Sequence, residues 1–190
     1  MKNTLLALAI TAGLSLPAHA VTMDSATLNG NLLDTSFSTP SLIALDVSLL
    51  NNAALSFSFV LDAADIAAGS ADFNAILRDA SGFGIGSLNV TLSGAPVSWT
   101  AGSVRAATVN GDLLDANFFA GATVTEFYFG NPFYEDGLAD WRIAFAGLSA
   151  GDRFTLDITT TPAVPEPREW MMMLGGLGMI VLSAARKLGR

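Results

Sequence analysis

Leu55-Ser56-Phe57-Ser58-Phe59 decides the fold class. Apolar and polar residues alternate strictly, so an extended chain puts Leu55, Phe57 and Phe59 on one face and serines on the other. A helix would scatter the same five residues around its circumference. The pattern predicts a strand with one face in a core and one in water.

The same period-two pattern returns along the chain. Trp141, Ile143 and Phe145 repeat it, as do Phe154, Leu156 and Ile158, and more loosely Phe73, Ala75 and Leu77. Residues 22–28, 43–50, 85–92, 103–109, 113–119 and 124–129 also have strand character. Turn residues separate them: Asn29-Gly30, Asn51-Asn52, Ser81-Gly82, Ser93-Gly94, Asn110-Gly111, Gly130-Asn131-Pro132, Gly147 and Gly151-Asp152. Asn-Gly between strands predicts two-residue hairpins, whose turn positions both need positive φ. The one helical candidate is residues 63–68, one or two turns long. Many short strands at this spacing predict an all-β body, an antiparallel, jelly-roll-like β-sandwich.

A local echo links two turns. Leu28-Asn-Gly-Asn-Leu-Leu-Asp-Thr-Ser-Phe37 and Val109-Asn-Gly-Asp-Leu-Leu-Asp-Ala-Asn-Phe118 match at six positions. Two hairpins of one type would produce it, because the turn itself demands Asn-Gly. Two related half-domains are the alternative.

The first residues have the form of a secretory signal peptide. Lys2 supplies a positive start, residues 5–16 are an apolar core, and Ala18-His19-Ala20 is a small-x-small cleavage site. The cut is expected after Ala20, through the general secretion machinery. The exported body would run from residue 21 to 163 and the tail from 164 to 190.

Composition narrows the chemistry of that body. The chain has no cysteine, and its single histidine, His19, leaves with the signal peptide. Disulfides, thiol catalysis, a Ser-His-Asp triad and histidine or thiolate metal sites are thereby excluded from residues 21–163. The body holds fifteen acids against Arg78, Arg105, Arg142 and Arg153, a net charge of −11, and no lysine. Such a surface disfavours nucleic acid, whose phosphates need clustered cations.

The tail begins with Pro165-Glu166-Pro167, which proline keeps extended. Sixteen uncharged residues follow, 170–185, including Trp170, Leu174, Gly175, Gly176, Leu177, Gly178, Ile180, Val181 and Leu182. As a helix they would be about 24 Å long, short for a hydrocarbon core of about 30 Å. Arg186, Lys187 and Arg190 form a basic stop, which keeps that end cytoplasmic and the body outside. A plain tail anchor or a buried C-terminal helix are the alternatives.

The order of these parts resembles the PEP-CTERM sorting signal of Gram-negative exported proteins. The resemblance covers the Pro-Glu-Pro motif, the aromatic Trp170, the Gly-rich apolar span and the basic end; Leu188 and Gly189 interrupt the basic run. It implies a short transmembrane helix, recognition by an exosortase-type membrane transpeptidase, removal of the tail, and association with exopolysaccharide or biofilm matrix. The stretch 141–158, a strand, a Gly-Leu-x-Ala-Gly turn and another strand, is similar to the end of many exported bodies that carry such tails.

Two residue groups are candidate sites. Asn110, Asp112, Asp115 and Asn117 crowd oxygen ligands of the kind calcium takes, as do Asn29, Asn31 and Asp34 in the echo. Turn chemistry is the alternative, since Asn and Asp bond their own backbone. Glu126, Glu135, Asp136 and Asp140 lie near Tyr128, Phe129, Phe133, Tyr134 and Trp141, the ingredients of a sugar site. Core aromatics beside an acidic surface loop are the alternative there. Arg142 and Arg153 are expected as outward ion-pair partners, and the sequon Asn89-Val90-Thr91 as a coincidence within a strand.

The expected function is non-enzymatic: an exported structural or carbohydrate-associated component of cell surface or matrix, without cofactor. A calcium-stabilised adhesion or glycan-binding module is the second reading, and a carboxylate-based glycoside hydrolase the third.

Overall fold

The computed structural model describes residues 21–115 and 124–163. The signal-peptide residues, including Ala18 and Ala20, and the whole tail from 164 to 190 lie outside the described residues. Among the described residues no helix is long and apolar enough to cross a membrane.

The body is all-β, as the alternation predicts. Its strands are β1 (Thr22–Thr27), β2 (Leu32–Asp34), β3 (Leu42–Leu49), β4 (Leu55–Val60), β5 (Ser70–Asp79), β6 (Ile85–Gly94), β7 (Ser98–Thr100), β8 (Val104–Thr108), β9 (Leu113–Asp115), β10 (Val124–Phe129), β11 (Trp141–Ala144) and β12 (Arg153–Pro162). The helix α1 (Ala63–Ala68) falls where the helical candidate stood. Asp62 caps its first turn, accepting from the N–H groups of Ala64 and Asp65. Gly69, at φ 75°, ends it in the left-handed region that favours glycine. Strands β2 and β7 are three residues each, too short for a period to register, and the sequence reading missed both.

These strands form one curled, mixed sheet in the order β1-β4-β12-β6-β10-β5-β11-β7, with β2 and β3 beside β5 and β8 and β9 beside β10. The expectation of a wholly antiparallel arrangement fails at β3 and β5, which pair in parallel from Leu42↔Asp72 to Leu49↔Asp79. A parallel pair needs a long crossover. Here β4 and α1 supply it, carrying the chain from Leu49 back to Ser70.

The expected hairpins are corrected as well. Asn29 and Gly30 have φ of 50° and 90°, the geometry their sequence demands. Yet β1 pairs with β4 and β2 with β3, so the turn passes the chain on rather than folding it back. At Asn110-Gly111 a hairpin does close, between β8 and β9, but only Gly111 has positive φ, 84°. Gly111 N–H donates to the Thr108 carbonyl and Thr108 N–H to that of Asp112, a three-residue loop with a bulge. The two echoing segments therefore build different turns.

Among the described residues, the β1-β4-β12-β6 portion joins the rest at the register pair Val124↔Ile85. The apolar faces of both portions nevertheless share one core, holding Phe57, Phe59, Phe73, Leu77, Ile143, Phe154 and Leu156. Phe154 of β12 stacks on Phe59 at 5.1 Å and meets Phe145, just past β11, at 6.2 Å. Each such side chain contributes about 1.5–3 kcal/mol of burial. Val21, the expected mature N-terminal residue, is buried in the same core.

Candidate functional site

Alternation divides the aromatic residues between two faces. In β10, Phe127 and Phe129 point to the core, where Phe129 meets Trp141 at 6.0 Å and Trp141 meets Trp99 at 5.1 Å. Trp141 donates its indole N–H to the Ser103 carbonyl at 3.0 Å. Phe129 and Trp141 are thus core residues, not part of a sugar site. Tyr128 lies on the opposite face, in register with Ile76 of β5 and Arg105 of β8.

That outer face carries a ladder of charges. Arg78 bonds Asp46 at 2.5 Å and lies 3.3 Å from Glu126. The hydrogen-bonded Asp46 carboxylate holds the guanidinium of Arg78 above its usual range, against the opposing effect of desolvation. Tyr128 donates its hydroxyl to Glu126. Burial first, and then that hydrogen bond, push its phenol up to about 12. Arg105 lies over the Tyr128 ring, 5.9 Å from its centroid. It also grips Glu135 through two bonds of 2.9 and 2.8 Å.

The Glu135 contact pins the loop between β10 and β11 across this face. Asn131 organises the loop: its side chain accepts from Glu135 N–H at 2.7 Å and donates to the Glu135 carbonyl at 2.8 Å. Its own N–H donates to Asp140 Oδ1 at 2.6 Å. Tyr134 sits at φ 56°, and with Asn29 it is one of two non-glycine residues at positive φ among the described residues. Such backbone costs of order 1 kcal/mol or more and persists where surroundings enforce it. It projects Tyr134, which is 73 % exposed.

Beneath the loop is a pocket of about 190 Å³. Phe37, Phe133 and Tyr134 rim it, each at least half exposed, and Asp46, Asn74 and Arg78 supply its polar groups. Phe133 is held edge-on to Tyr128 at 5.4 Å. Of the residues singled out in the sequence, Phe133 and Tyr134 line the pocket, with Glu126, Tyr128 and Glu135 behind them, whereas Asp140 is a loop anchor and Asp136 an exposed loop residue. Phe37, Asp46, Asn74, Arg78 and Arg105 were missed. Asp46 and Arg78 had left a signal, each a charge set inside an apolar strand.

The Glu135 clamp has a pH signature. Arg105 holds the Glu135 carboxyl below the usual glutamate range, chiefly by hydrogen bonding. A lowered folded pKa gives stability that is complete above the unfolded value of about 4.3 and lost as pH falls through the folded one. The difference in urea midpoint between the native chain and Glu135→Gln should therefore shrink from about pH 6 to about pH 3. A difference that stays constant over that range would show that the clamp adds nothing.

The calcium candidates fare differently. Asn31 is buried and its Oδ1 accepts from Leu50 and Asn51 N–H at 2.8 and 3.1 Å. Asn29 donates to the Ala54 carbonyl at 2.7 Å, and Asp34 accepts from Ser36 N–H at 2.8 Å. Of these, Asp34 does turn chemistry, whereas Asn29 and Asn31 tie their turn to the segment around residues 50–54. Asn110 and Asp112 are exposed at the β8–β9 turn, Asp115 ends β9, and Asn117 lies outside the described residues. Among the described residues no three acidic groups come together to hold a metal. Arg153 pairs with Asp24, as expected of an outward ion pair, but Arg142 donates instead to the Ser70 hydroxyl at 2.8 Å.

Comparison with protein-family models, with curated proteins and with solved structures finds no match for this chain.

Proposed function

We propose that this chain is an exported, non-enzymatic component of the cell surface or extracellular matrix that attaches to carbohydrate through the pocket beneath the β10–β11 loop. One observation carries the reading. Three aromatic side chains, Phe37, Phe133 and Tyr134, stand exposed around a recess that also offers an amide, a carboxylate and a guanidinium. Large exposed aromatics beside oriented polar groups are the makings of a binding site. The nearby carboxylates are engaged as structural acceptors: Asp46 by Arg78, Glu126 by Tyr128, Glu135 by Arg105 and Asp140 by Asn131. That favours binding over the acid–base pair a glycosidase needs. In the same reading the two portions of the curled sheet face each other as a jelly-roll-like sandwich, which the Phe145–Phe154 contact supports.

Delivery rests on the chain's two ends. The signal peptide exports the body, and the tail resembling PEP-CTERM, with its short transmembrane helix, presents Pro165-Glu166-Pro167 to an exosortase-type transpeptidase. Changing Pro165 and Glu166 together to Ala in the native host should leave the tail attached and the protein in the membrane fraction, heavier by the uncut segment. If mass spectrometry finds the double variant trimmed and released like the native chain, the sorting assignment fails.

A further inference from the structure

Asn74 is the residue of the pocket that asks for a ligand. It is 4 % exposed and lines the recess. Its one hydrogen bond runs from Nδ2 to Asp140 Oδ1 at 3.3 Å. Reversing the amide would set two oxygens against each other, so this orientation is fixed by its partner. Among the described residues nothing donates to Asn74 Oδ1. That oxygen is an acceptor at the recess which a ligand hydroxyl can engage.

The charges around it say what that ligand is. Arg78 is the cation of the lining, and Asp46 and Glu126 share it. These three groups sum to one negative charge, within a body of net charge −11. An anionic ligand finds no unshared cation and meets repulsion. The size is that of one ring, since about 190 Å³ falls below the span of sites for larger ligands. Aromatic side chains at the rim offer flat apolar surface to C–H groups.

We infer that this pocket holds a single neutral hexopyranose unit, with Asn74 Oδ1 accepting from a ring hydroxyl and Phe37 and Tyr134 covering its apolar face, and that it rejects uronic acids. The inference rests on the carbohydrate reading above and sharpens it to a sugar class. Binding of D-glucose, D-galactose, D-mannose and D-glucuronate to the full chain in detergent micelles, followed by saturation-transfer NMR, tests it. At least one neutral hexose should saturate at millimolar concentration, with glucuronate at least tenfold weaker. Phe37→Ala with Tyr134→Ala should weaken that hexose at least tenfold; both side chains are mostly exposed, so the fold tolerates their loss. Asn74→Leu, which removes the acceptor at similar volume, should weaken it similarly, and circular dichroism would report whether that variant folds. Glucuronate binding as tightly as the hexoses, or binding that survives the double aromatic change, would overturn the inference while leaving carbohydrate attachment standing. Failure of every sugar to bind would overturn both.

Discussion

Leu156→Asp should abolish the cooperative thermal transition. Leu156 is fully buried in β12, in register with Phe57 of β4 and Leu92 of β6. The change removes a buried apolar side chain and puts a carboxylate in its place without a donor. Together these are worth more than about 5 kcal/mol, against a total stability of about 5–15 kcal/mol for a domain. Thr155→Asp, one residue earlier, turns the new carboxylate to the outer face beside Ser58 and Ser93. It should shift stability by no more than about 1 kcal/mol. Circular dichroism melts of the pair would decide it, and equal melts would mean that the facing of β12 is wrong.

Gly130→Ala should lower the melting temperature by about 10 °C. Gly130 has φ 70°, where an L side chain is strained, and its added Cβ would lie 2.6 Å from Asp140 Oδ1 and 2.9 Å from both Asn74 Cβ and the Phe73 carbonyl oxygen. None of these neighbours is the free end of a flexible chain, so the loop or β5 must shift. A loss of about 3 kcal/mol follows from the crowding and strain together. Gly137→Ala separates the two causes: φ is 83° there, but nothing lies within 4 Å of the added Cβ. It should lose only about 1 kcal/mol, from the backbone conformation. Calorimetry giving equal losses would show that close packing around Asp140 does not matter.

How far the site was legible follows from the kind of interaction involved. Phe133 and Tyr134 were visible because they sit beside acidic residues in a Gly- and Pro-bounded loop. Phe129 and Trp141 misled, because proximity in sequence does not tell which face a strand residue takes once its neighbours turn inward. Asp46, Asn74 and Arg78 were not assembled because β3 and β5 meet in parallel after a crossover of twenty residues. No local pattern encodes that meeting. Phe37 was noticed only as part of the echo, and its place at the pocket rim depends on β2 docking at the edge of β3.

The sequence by itself determined the strands other than the three-residue β2 and β7, because period-two alternation is a local consequence of the pleat. It also determined α1, whose capping residues are neighbours in the chain, and the absence of histidine and thiol chemistry from residues 21–163. It placed glycine or asparagine at turns whose φ is positive, and its alternation put Leu156 inside and Thr155 outside. Only the tertiary structure decided which strands pair. Among the described residues, the consecutive strands that are neighbours in the sheet are β2 with β3 and β8 with β9, and the others find partners far along the chain. The pairing is settled by closing one aromatic core from both portions of the curled sheet, a global condition on burial that no single segment can express. The pocket is a by-product of that closure, since the loop that anchors on Arg105 covers a face built from strands distant in sequence.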